Sequence, residues 1–108
     1  MNNLVLSQRA QEDLQEIKTY ITEELENPDA ALRTVEGITK RIRALATHGE
    51  LGAQLSSITG IASEYRFLVC GNYLAFYRFE TQGVYVDRIL YSRRDFMRIL
   101  YDIPQKEE

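Results

Sequence analysis

Apolar positions along the chain change period partway through. From Ala10 they return every three or four places, at Leu14, Ile17 and Ile21, which predicts one amphipathic helix running to about Glu26. Ser7 stands ahead of it as an N-cap, with Glu12 and Asp13 close behind. Ala31, Val35, Ile38, Ile42 and Leu45 repeat the period in a second helix. Asn27-Pro28 stops the first helix and starts the second, Asn27 as N-cap and Pro28 as first helical residue. His48-Gly49 closes the second. So tight a link sets the two antiparallel, as a helical hairpin. Before them, Asn3 to Leu6 is a short apolar run with the character of an edge strand.

Leu51 to Ala62 shows no period and carries Gly52, Gly60 and several Ser and Thr, which predicts a loop with room for one irregular strand or turn. From Tyr65 the pattern turns to aromatic and β-branched runs. YRFLVC and YLAFYRF flank Gly71-Asn72 and predict a tight hairpin, with Tyr73, Phe76, Tyr77 and Phe79 as sheet core and cross-strand pairs. Thr81-Gln82-Gly83 makes the next turn, and Val84 to Leu90 the last strand. Phe96, Met97, Ile99 and Leu100 are spaced as the apolar face of a short final helix, with Ser92 as its cap and Asp95 as the acid of a capping box.

The order is β-α-α-β-β-β-α. Helices and strands in separate blocks imply an α+β fold, the helical hairpin packed on one face of a mainly antiparallel sheet, followed by a short C-terminal helix. Residues 1–101 form a single domain in this reading, and 102–108 a short acidic tail.

Composition adds exclusions. The chain has 108 residues, 44% hydrophobic and 27% charged, as an ordinary globule has. Cys70 is alone, so no internal disulfide forms and a reducing compartment is expected. Cys70 and His48 are the only soft metal ligands and lie far apart in sequence, which argues against a zinc site. Cys70 is expected to be a small buried or half-buried hydrophobe, and His48 to belong to a helix end. The N-terminus lacks the pattern of a signal peptide, and no run approaches a membrane span, so a cytoplasmic protein is expected.

The net charge of −3 is unevenly spread. Residues 60–101 hold six arginines, Arg66, Arg78, Arg88, Arg93, Arg94 and Arg98, against four acids. Residues 1–59 hold six Lys/Arg against nine acids. Arg93 and Arg94 stand side by side where the last helix should start. Positive charge there opposes the helix dipole by about 0.3–1 kcal/mol per charge. Either an anion or a partner's carboxylate completes a site there, or the pair serves only in ion pairs with Asp95, Asp87 or Glu64.

Tyr65 to Phe79 (YRFLVCGNYLAFYRF), Val86 to Asp95 (VDRILYSRRD) and the preceding helix pair ending in HGELG together resemble the RelE/ParE superfamily of bacterial type II toxin–antitoxin and plasmid-stabilisation toxins. The resemblance spans nearly the whole chain. It implies no cofactor, a cognate antitoxin as partner, and one of two mechanisms. RelE-like members cleave messenger RNA on the ribosome without metal. ParE-like members bind and inhibit DNA gyrase.

Metal-free RNA cleavage needs positive charge about the phosphate and groups that move protons. Arg66, Tyr91 and Arg93 are the residues that match such a role. Arg66, Arg88, Arg93 and Arg94 are the candidates for target or anion binding. RelE-like nucleases carry a lysine cluster around the first sheet strand, whereas Leu51 to Tyr65 holds no Lys or Arg here, and Leu74 stands where a further catalytic arginine is usual. A pI near 5.2 also suits an RNA-rich site poorly. These departures favour a ParE-like toxin that inhibits a protein target. The alternatives are a ribosome-dependent endonuclease and a non-toxic relic that binds only the antitoxin. A homodimer is left open.

Overall fold

The hydroxyl, amide and proline that the sequence sets at the starts of the first two helices are used there. In the computed structural model, which describes residues 2–101, Ser7 Oγ accepts a hydrogen bond from the Ala10 amide at 3.0 Å, opening α1 (Gln8–Thr19). Asn27 Oδ1 accepts from the Ala30 amide at 3.0 Å, opening α2 (Pro28–Arg43) with Pro28 in its first turn. Between them the first helix does not run on as α to Glu26. It widens into a π turn, Tyr20–Glu24, where the Leu25 amide reaches back five residues to the Tyr20 carbonyl. Ile21 and Thr22 are β-branched and lose rotamer freedom in an α-helix, which weakens α geometry at this point. Glu26 then takes a left-handed φ of 50° to reverse the chain.

Among the described residues five strands form one sheet in the order β1-β5-β4-β3-β2. They are β1 (Asn3–Leu6), β2 (Ala53–Gln54), β3 (Tyr65–Cys70), β4 (Tyr73–Glu80) and β5 (Gly83–Tyr91). β1 lies at an edge, parallel to β5, and every other pairing is antiparallel. The segment expected to be a loop holds β2 and a single helical turn, α3 (Ser56–Thr59). The last helix, α4, is Phe96–Tyr101. The expected acidic tail, 102–108, lies outside the described residues.

The register slips between Phe76 and Tyr77 on β4, which face Arg88 and Val86, so Asp87 bulges from β5. Strict alternation would set Val84, Val86 and Arg88 on one face. The bulge instead turns Val84, Val86 and then Ile89 toward the helical hairpin, where they join Ile17, Ile38, Ile42, Leu68, Ala75 and Tyr77.

The opposite face carries its own core of Leu55, Phe76 and Leu90, packed against Phe67, Leu74, Phe96, Ile99 and Leu100. α4 covers the face away from the hairpin. Phe96, Ile99 and Leu100 pack where Phe76 and Leu90 were uncovered, and Phe96 stacks on Phe76 with ring centroids 5.2 Å apart.

Candidate functional site

The double arginine does not stand on a helix. β5 ends at Tyr91, and Ser92 donates its amide to the Asn72 carbonyl at 2.9 Å, pinning a turn to the tip of the β3–β4 hairpin. Arg94 donates its amide to Tyr91 at 3.0 Å, closing that turn. The capping residue of α4 is Asp95, whose Oδ1 accepts from the Arg98 amide at 3.3 Å, and not Ser92. The cap falls three residues later than expected because the turn consumes Ser92 to Arg94. Arg93 and Arg94 are exposed on this turn and do not oppose the dipole from within the helix. Among the described residues neither makes an ion pair. Asp87, one of their expected partners, is taken by Arg78 Nε at 2.9 Å and the Tyr65 hydroxyl at 3.0 Å.

Arg66 and Tyr91 are not brought together. Arg66 lies opposite Tyr77, and Tyr91 opposite Tyr73, on the hairpin face of the sheet. Tyr73 and Tyr77 are four residues apart on β4, about 13 Å at the usual strand rise, and β4 itself lies between the two candidates. Arg66 Nη1 donates to the Gly52 carbonyl at 2.9 Å. It thus helps seat the same loop that Tyr77 holds: the buried Tyr77 hydroxyl donates to the Gly49 carbonyl at 2.7 Å and accepts from the Gly52 amide at 2.9 Å. Gly52 has no space for a side chain, since a Cβ there would meet the Phe67 carbonyl at 2.5 Å.

Arg88 is committed to Asp13, in the second turn of α1. Asp13 accepts from Arg88 Nε and Nη2, both at 2.9 Å, and from the Ile89 amide at 2.8 Å. β1 pairs with β5 only as far as Val86, so the Ile89 amide has no strand to bond, and the Asp13 carboxylate takes that role. The hydrogen bond to Asp13 raises the Arg88 pKa further, against the desolvation that lowers it. A signal for Asp13 was present in the sequence: it sits on the apolar stripe, between Ala10 and Ile17, where a charge needs a partner.

Two grooves meet at the turn. The first, of about 690 Å³, runs between α1 with its π turn and the end of the sheet. It is lined by Ile17, Tyr20, Ile21, Leu25, Tyr73 and Tyr91, with Asp13, Glu16 and Arg94 among its polar residues. Tyr20, Leu25 and Tyr91 are 54%, 57% and 41% exposed, so the groove presents apolar surface to solvent. Tyr73 and Tyr91 meet edge to face at 5.8 Å, and the Tyr73 hydroxyl is raised in pKa by burial and by its neighbours Tyr91 and Tyr20. The second groove, of about 720 Å³, is lined by Arg9, Arg88, Arg94 and Arg98, with Asp95 and Ile99. Arg94 belongs to both. Among the described residues no group of three or more His, Cys, Asp or Glu side chains could hold a metal, and no helix is long and apolar enough to cross a membrane.

A family model described as the ParE toxin of the type II toxin–antitoxin system parDE matches residues 4–96. Among solved structures, a chain from the chromosomal ParDE toxin–antitoxin system of P. aeruginosa matches with a TM-score of 0.71. It is 24% identical in sequence, and the match covers 84% of the present chain and 96% of that one. That likeness shows the fold. No curated protein matches the sequence.

Proposed function

Since this chain belongs to the ParE toxin family of type II toxin–antitoxin systems, we propose that it inhibits its target by binding rather than by cutting RNA, with DNA gyrase as that target. A cognate antitoxin holds it inactive, and the cytoplasm is where both act. The observation that carries this reading is the separation of Arg66 from Tyr91 and the Arg93–Arg94 turn. A nuclease needs its proton-moving and phosphate-holding groups within hydrogen-bond reach of one phosphate. Here Arg66 serves a loop carbonyl, while Tyr91 and Arg94 border an open groove of the kind that takes another protein's side chains. The gyrase assignment itself rests on the family resemblance.

Induced expression of the chain in a bacterial host, with plasmid supercoiling and messenger RNA 5′ ends followed in the same cells, tests it. Growth arrest with altered supercoiling and intact messages is the expected result. New 5′ ends within the codons of translated messages would establish the endonuclease instead, and unimpaired growth with neither change would leave the antitoxin-binding relic.

A further inference from the structure

Four parts of the fold bring a guanidinium to the second groove: Arg9 from α1, Arg88 from β5, Arg94 from the turn and Arg98 from α4. The chain carries a net charge of −3, so this gathering runs against its overall balance. Apart from Ile99, every residue lining the groove is charged, and its one acid, Asp95, already accepts from the Arg98 amide. Arg88 is the fixed member. Asp13 grips it through Nε and Nη2, and its side chain is only 15% exposed. Among the described residues its Nη1 makes no hydrogen bond, so the guanidinium is held in one orientation with donors to spare. Arg94 makes no side-chain hydrogen bond or ion pair among the described residues. Arg9 meets Glu12 at 3.7 Å in an exposed pair, of a kind that contributes little and gives way to a better partner.

We infer that this groove binds a small phosphate-bearing molecule, whose phosphate oxygens accept hydrogen bonds from Arg88 and Arg94 while Arg9 and Arg98 close round it. A carboxylate is planar and pairs with one guanidinium fork, as Asp13 does with Arg88. A tetrahedral phosphate presents oxygens in several directions and can use donors that arrive from separate elements. The lining offers no apolar seat beyond Ile99, which suits a hydrophilic ligand better than the apolar side chains of a peptide. A nucleic acid strand fits less well. Its successive phosphates need a long basic track, whereas Glu12 stands beside Arg9 and Glu16 lines the adjoining groove. Arg66, Tyr91 and Arg93, the residues that a nuclease would use, do not line this groove. Phosphate binding here is independent of which target the toxin inhibits.

The test is calorimetry of the full chain with inorganic phosphate, tripolyphosphate and ADP at constant ionic strength. The NMR resonance of the Arg88 Nε–H, which its bond to Asp13 shields from exchange, is followed in the same titrations. Saturable binding is expected, tighter for tripolyphosphate than for phosphate, with the Arg88 resonance moving as the site fills and ADP competing for it. Arg94→Gln should weaken binding about tenfold or more, and Arg9→Gln with Arg98→Gln by a similar factor. Both variants change exposed positions, and circular dichroism checks that they keep the fold. Succinate, a dicarboxylate, should bind more weakly than phosphate. Absence of saturable binding at millimolar phosphate and tripolyphosphate would overturn the inference, and so would succinate bound as tightly as phosphate. Indifference to both variants, or a short single-stranded DNA bound more tightly than ADP through the same arginines, would overturn it equally.

Discussion

At the scale of single residues, the structure depends on a few polar groups that finish what the strands leave open. Asp13 is the clearest case, because one carboxylate serves both a guanidinium and a strand amide with its side chain only 6% exposed. Asp13→Ala would leave Arg88 and the Ile89 amide unsatisfied, and removing one partner of a buried pair costs about 3–5 kcal/mol. Urea denaturation should show that loss, a large share of the total for a domain of this size. Tyr77→Phe removes the hydroxyl that bridges Gly49 and Gly52, and should cost about 1–3 kcal/mol in the same measurement. Titration supplies a third expectation. Burial pushes the Cys70 thiol up to about 11 from an ordinary 9.0, against a smaller opposing pull from Arg41, and burial also raises Tyr73 and Tyr77. Each group binds its proton more tightly folded than unfolded, so the Cys70 contribution is intact below about pH 9 and is lost as pH rises through about 11, and those of Tyr73 and Tyr77 are lost only above the ordinary tyrosine value of 10.0. Thermal melts should hold steady in this respect from pH 7 to 9 and fall above it, and Cys70→Ala should remove part of the fall.

At the scale of elements, the hydrophobic period and the capping residues were enough to order the helices and strands. Ser7, Asn27-Pro28 and Gly71-Asn72 do the work their chemistry implies. What the period could not carry was any change of phase. The bulge at Asp87 reverses which β5 residues face the hairpin, and nothing within Val84 to Leu90 marks it, because both faces of that strand are apolar near its end. The cap of α4 was misplaced for a related reason. Ser92 and Asp95 are both good caps, and only the bond from the Ser92 amide to Asn72, remote in sequence, decides between them. The same remoteness hid Asp13 and Arg88, which are paired across 75 positions. The π turn adds an expectation of its own. Glu26 holds a left-handed φ of 50°, where a side chain costs about 1–2 kcal/mol. Glu26→Gly should therefore raise stability by about 0.5–1 kcal/mol in urea melts, since part of the relief is offset by the freer unfolded chain.

At the scale of the whole molecule, two cores on opposite faces of one sheet position the turn between β5 and α4 at the junction of two grooves. That arrangement presents tyrosines and arginines, the residues that anchor protein interfaces most strongly, on one side of an otherwise acidic protein. Surface substitutions usually change stability by no more than about 0.5 kcal/mol, so Arg93→Ala with Arg94→Ala should remain folded. Toxicity should nonetheless be lost if the turn is where the target binds. The wet apolar groove also implies that co-expression with the cognate antitoxin raises soluble yield and melting temperature, by mass action on the folded state. The measurement that bears most directly on inhibition by binding is supercoiling by purified DNA gyrase, titrated with the purified chain and with its Arg93→Ala, Arg94→Ala variant. Inhibition by the natural chain that is lost in the folded variant is the expected result. Undiminished gyrase activity, with the same protein preparation cutting messenger RNA in a translating extract, would contradict it.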